Sequence, residues 1–120
     1  MTTQSLWLIG ASAMAQDYAL VLAALKQPIT IISRSEKSAL LFEKATGKKV
    51  RTGGLKANLK KDIAPETAIV AVGIEDLASV AEELIHAGTK RILLEKPGAI
   101  NIEEINHLNI LAKEKNVELL

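Results

Sequence analysis

Apolar positions along the chain fall into short continuous blocks that alternate with longer stretches of helical spacing. Ser5-Leu6-Trp7-Leu8-Ile9 ends at Gly10, the pattern of a buried strand running into a tight turn. Ala13 to Lys26 is rich in Ala and Leu, with Tyr18, Val21, Leu22 and Leu25 at helical spacing, and Pro28 closes it. Ile29-Thr30-Ile31-Ile32 is β-branched and predicts a second strand. Ser35 caps a second helix that runs to about Thr46 and stops at Gly47. Lys49-Val50-Arg51 predicts a weak third strand, Gly53-Gly54 a turn, and Leu55 to Lys61 one or two helical turns. After Pro65, Ala68-Ile69-Val70-Ala71-Val72 predicts a fourth strand and Glu75 to Ala87 a helix closed by Gly88. Arg91-Ile92-Leu93-Leu94 follows as a fifth strand. Asn101 and Glu104 form a capping box for a last helix ending near Lys115, and Val117 to Leu120 begin a sixth strand.

Strands that alternate with helices imply βαβ units, and these imply a parallel sheet covered on both faces. The expected fold class is α/β, a doubly wound parallel sheet of the Rossmann kind in three α/β/α layers, with strand order 3-2-1-4-5-6. No linker or repeat interrupts the pattern, so residues 1–120 are expected to form one domain.

Composition removes several function classes. Fifteen basic residues stand against 14 acidic ones, for a net charge of +1, and aromatics make up 2%. Neither the basic surface nor the stacking platform of a nucleic-acid binder is present, so no nucleic-acid partner is expected. The chain has no cysteine, which excludes disulfides, thiolate metal sites and cysteine nucleophiles. No apolar stretch reaches membrane-helix length and no signal-peptide pattern is visible; the expectation is a cytoplasmic domain without a membrane partner. His86 and His107 read as helix-surface residues, and no metal site is expected. Lys56, Lys60 and Lys61 read as a solvated helix face, and Glu75 and Asp76 as favourable charges in a helix's first turn.

The first candidate site is Gly10-Ala11-Ser12-Ala13-Met14-Ala15, where the first strand turns into the first helix. The dinucleotide fingerprint there is G-x-G-x-x-G/A. Gly10 matches the glycine of the tight turn, and Ala15 is an accepted third residue. Ser12 departs from the second glycine; it is small, and its hydroxyl can address a phosphate. The helix start adds unpaired amides and a positive dipole end. The second candidate is Ser33-Arg34-Ser35, at the tip of the second strand. An NAD site usually has an acid about 20 residues after the glycines. Here a guanidinium stands instead, which attracts a 2′-phosphate, so NADP is expected in preference to NAD. The third is Glu95-Lys96-Pro97-Gly98, after the fifth strand. At the carboxyl edge of the sheet a lysine can reach the nicotinamide end of a cofactor and polarise a substrate oxygen or exchange a proton with it.

Ala87-Gly88-Thr89-Lys90-Arg91-Ile92-Leu93-Leu94-Glu95-Lys96-Pro97 resembles the "AGKHVLCEKP" segment of the glucose–fructose oxidoreductase/inositol dehydrogenase (Gfo/Idh/MocA) family. The resemblance covers essentially the whole chain. It implies a catalytic or substrate-binding role for Lys96 and a cofactor-site role for Glu95. After the fourth strand the family often has Thr-Pro-Asn and then a histidine. This chain has Val72-Gly73-Ile74, with Leu77 near the histidine position, so Ala71, Val72 and Gly73 are left with backbone contacts to the cofactor. Gly53-Gly54-Leu55 and Ile92 to Gly98 also resemble members encoded with bacterial surface-polysaccharide genes. The resemblance implies an NAD(P)-dependent oxidoreductase acting on a small carbohydrate or sugar-nucleotide substrate. The open edge of the last strand offers a route to a homo-oligomer. Family members continue into a substrate domain absent from this chain, so the chain is expected to bind cofactor with little or no turnover. The alternatives are a stand-alone nucleotide-binding or regulatory module, and an assembly domain that has lost its ligand.

Overall fold

The computed structural model describes residues 5–95 and 101–120. The elements follow as β1 (Leu6–Ile9), α1 (Ala13–Ala24), β2 (Thr30–Ile32), α2 (Glu36–Thr46), α3 (Gly54–Lys61), β3 (Thr67–Val70), α4 (Ile74–Ala87), β4 (Arg91–Leu94), α5 (Ile102–Glu114) and β5 (Glu118–Leu119). The sheet is parallel, in the order β2-β1-β3-β4-β5.

Alternation along β1 builds the layers. Trp7 and Ile9 point to one face and join Ile32, Val70 and Ile92 under Leu77, Leu84 and Ile85 of α4 and Leu108 of α5. Leu8 points to the other face and joins Ile31 and Ile69 under Ala15 and Ala19 of α1 and Phe42 of α2. Successive residues of a strand face opposite ways, so three-residue and four-residue strands supply both cores.

The expected third strand is the element that the structure reduces most. Lys49-Val50-Arg51 contributes a single bridge, Arg51 against Ile32, beside β2. The amide of Val50 donates to the Glu43 carboxylate at 3.0 Å instead of to a ladder. Two residues beyond Arg51, Gly53 and Gly54 at φ 93° and 78° turn the chain into α3. Arg51 nonetheless occupies the outer position that the order 3-2-1-4-5-6 assigns to it, so the sheet has five strands in that order with one strand shrunk to a residue.

Local signals set the helix ends. Ser12, Ser35 and Asn101 cap α1, α2 and α5, their side chains accepting the amides of Ala15, Ser38 and Glu104. Gly47 and Gly88 end α2 and α4 in the left-handed conformation. Helix α1 stops at Ala24, earlier than its apolar spacing predicts, because Lys26 takes φ 58° and the Gln27 amide folds back onto the Leu22 carbonyl at 2.9 Å. No helix among the described residues is long and apolar enough to cross a membrane.

Candidate functional site

The crossover after β1 leads to one face of the sheet and the crossover after β3 to the other, although β1 and β3 are neighbours. Their loops part at the carboxyl edge and leave a cleft, the position where open α/β sheets bind ligands. Its volume is about 700 Å³. Three loops bring predicted residues to it: Gly10, Ala11 and Ser12 after β1, Ser33 and Arg34 after β2, and Ala71, Val72 and Gly73 after β3.

Gly10 is required for this geometry. It takes φ +122°, and a Cβ there would stand 2.2 Å from the carbonyl oxygen of Ala71. The β1 and β3 loops therefore touch backbone to backbone. Ser12 reinforces that contact, donating its hydroxyl to the Ala71 carbonyl at 3.3 Å while accepting the Ala15 amide at 3.3 Å. The hydroxyl that the sequence offers to a phosphate is thus used to pin the start of α1. The amides of Ala13 and Met14, the first two helical positions, have no carbonyl partner within the helix, and such amides are groups to which an anion can bind.

The β2 tip is organised by hydroxyls. Ser33, buried, lies 2.7 Å from Ser38 Oγ and donates to the Ser35 carbonyl at 3.1 Å, and Ser38 Oγ lies 2.8 Å from Ser35 Oγ. These groups satisfy one another and hold the loop that presents Arg34. The Arg34 side chain is 79% exposed, yet its Nη2 reaches Asp76 Oδ2 on α4 at 3.0 Å.

A second cavity, of about 650 Å³, lies between α1, α5 and the carboxyl ends of β4 and β5. Met14 and Glu95 line this one, and the Glu95 amide continues the ladder by donating to the Val70 carbonyl at 3.1 Å. The two cavities flank the first turn of α1. Ala13 is exposed on that turn. Lys96 lies outside the described residues.

The structure adds residues to the cleft that sequence reasoning set aside. Lys56 and Asp76 line it, together with Ser79 and Glu83. Lys56 Nζ stands 4.0 Å from Glu83 Oε1. His86 and His107 are exposed, as expected, but both approach Glu82 Oε1, at 3.7 and 3.5 Å. The Glu82–His86 spacing of one helical turn was the available signal for the first contact; the second crosses from α5. Among the described residues no group of three His, Asp or Glu side chains is placed to hold a metal ion.

Known structures share this fold. Biliverdin reductase from Synechocystis sp. PCC 6803, solved with biliverdin and NADP+, superimposes with a TM-score of 0.77 at 25% identity, over 98% of this chain and 37% of that one. An oxidoreductase from Agrobacterium radiobacter in complex with NAD+, L-tartaric acid and magnesium gives 0.86 at 17% identity, over 99% of this chain and 35% of that one. The WlbA dehydrogenase from Bordetella pertussis, in complex with NADH and UDP-GlcNAcA, gives 0.82 at 19%, over 98% and 36%. The chain thus spans little more than a third of the length of these proteins. No curated protein matches it. The family model described as "Oxidoreductase family, NAD-binding Rossmann fold", the Gfo/Idh/MocA model, matches residues 5–120, and the chain belongs to that family.

Proposed function

We propose that this chain is the dinucleotide-binding part of an NAD(P)-dependent oxidoreductase and that it takes NADP(H) in preference to NAD(H). The observation that carries this reading is the pair of cavities on either side of the α1 N-terminus, one ending at Arg34 and the other at Glu95. A dinucleotide has two nucleoside ends joined by a pyrophosphate. Its pyrophosphate fits the turn from Gly10 to Met14, where the amides of Ala13 and Met14 and the helix dipole favour negative charge. Its adenosine ribose fits the Ser33–Arg34 tip, where no acid stands on β2 to repel a 2′-phosphate. The nicotinamide end is then directed toward Glu95 and the adjoining Lys96.

When bound, the cofactor supplies or accepts a hydride. The role we assign to Lys96 is to hold a proton against a substrate oxygen. A carbohydrate or sugar-nucleotide substrate is supported by the resemblance of the segment from Ala87 to Pro97 to sugar-type dehydrogenases, with backbone contacts to the cofactor coming from Ala71, Val72 and Gly73. Leu77, at the position where that family often has a histidine, is buried in the core, so that position contributes no substrate-binding imidazole. The purified chain, titrated separately with NADPH and NADH and followed by cofactor fluorescence, is expected to bind both and NADPH more tightly. Tighter NADH binding overturns the role of Arg34 and keeps the dinucleotide site. Binding of neither by a folded chain overturns the site.

A further inference from the structure

Both cations at the outer end of the cleft are answered by acids from one helix. Arg34 Nη2 meets Asp76 Oδ2 at 3.0 Å and Lys56 Nζ faces Glu83 Oε1 at 4.0 Å. Asp76 and Glu83 lie seven residues apart on α4, two helical turns, so they stand on one stripe of the helix. Ser79 and Val80, between them, line the same cleft. The α4 wall therefore carries carboxylates that answer the cations of the β2 tip and of α3, and the four charges cancel.

We infer that Asp76 is a specificity-determining residue of the cleft, setting the ratio of NADP(H) to NAD(H) binding by competing for the Arg34 guanidinium. This rests on the dinucleotide reading above. A 2′-phosphate carries more than one negative charge at neutral pH. To be gripped by Arg34 it must displace or share the Asp76 carboxylate, and that carboxylate opposes it. A ribose without the phosphate brings hydroxyl donors, for which the Asp76 carboxylate is an acceptor. Arg34 favours one cofactor and Asp76 the other. The acid that an NAD site places at the tip of the second strand has a counterpart here on the opposite wall, on a different element. Arg34 is largely exposed, so its pair with Asp76 is weak and a competing phosphate can exchange with it.

The test is Asp76→Asn in the full chain, with NADPH and NADH titrated separately into the wild type and the variant. The substitution keeps the size of the side chain and removes its charge. NADPH affinity is expected to rise about three- to tenfold while NADH affinity stays level or falls, and the NADPH gain should shrink in high salt. In an Arg34→Ala background the same substitution should change the cofactor ratio much less. The melting temperature should move by only a few degrees, because the carboxylate's interaction with the α4 N-terminus is modest. Binding of both cofactors by the wild type with a ratio unchanged in Asp76→Asn overturns the inference and leaves the dinucleotide site standing. Binding of neither by the wild type overturns the site and the inference with it. Should Asp76→Asn fold poorly, Asp76→Ser read against the same ratio decides the matter in the same way.

Discussion

At the scale of single residues, the contact between Gly10 and Ala71 carries the largest consequence. Gly10→Ala puts a methyl group 2.2 Å from a backbone oxygen that cannot rotate away, at a φ that side chains avoid. The expected loss is about 2–4 kcal/mol of stability, with dinucleotide binding lost as the β1 and β3 loops separate. Gly47→Ala is the control. Gly47 also has positive φ but nothing within 4 Å of a built Cβ, so only the left-handed penalty of about 1 kcal/mol is expected. Denaturant unfolding of the two variants compares crowding with conformation directly; equal losses would show that the Ala71 contact relaxes freely. A third residue tests the core itself. Thr89 is fully buried and its hydroxyl has no partner among the described residues. Thr89→Val keeps the shape and removes the unsatisfied group, so a gain of about 1 kcal/mol is expected. A loss in the same unfolding experiment would mean that the hydroxyl is hydrogen-bonded.

At the scale of elements, α3 is the part of the cleft wall that local pattern describes least. It has eight residues, no side-chain cap at its start, and a left-handed glycine on either side of that start. Buried Asn58 secures it, donating through Nδ2 to the carbonyls of Thr52 at 3.1 Å and Gly54 at 2.7 Å. Asn58→Ala leaves those carbonyls without that donor, and a cost of about 1–3 kcal/mol is expected in thermal unfolding. Because α3 also carries Lys56 and Leu55 to the cleft wall, weaker dinucleotide binding should accompany the loss. The contrast with α2, α4 and α5 explains what the sequence could show. Ser35, Gly47, Gly88 and Asn101 act within one helical turn, so the ends they set were legible residue by residue. The reduction of the third strand was not, because it depends on the Val50 amide choosing a carboxylate seven positions back. Gly10, Ser33 and Arg34 were legible because strand tips in a parallel sheet converge on one edge. Lys56, Asp76 and Glu83 were not, because nothing local distinguishes a solvated helix charge from one facing a cleft; the packing of α3 beside α4 decides it.

At the scale of the whole molecule, the cleft is assembled from the carboxyl ends of β1, β2 and β3 with α3 and α4 across them, elements drawn from well-separated stretches of the chain. A ligand held there opposes global unfolding rather than the fraying of one loop. Ligand that binds only the folded chain, at one hundred times its Kd, adds about 2.7 kcal/mol. For a domain of this size that amounts to a rise in melting temperature of roughly 8–15 °C. The net charge of the chain is only +1, so the proposed site attracts a polyanionic cofactor through the local array at the α1 N-terminus and Arg34 and not through a field over the whole surface. Arg34→Ala should therefore reduce the rise produced by NADPH at a fixed concentration and leave that produced by NADH nearly intact. Differential scanning fluorimetry of both proteins with both cofactors measures all four shifts. Equal losses for the two cofactors would place Arg34 against a group they share, such as the pyrophosphate, and would move the adenosine end of the ligand away from the β2 tip.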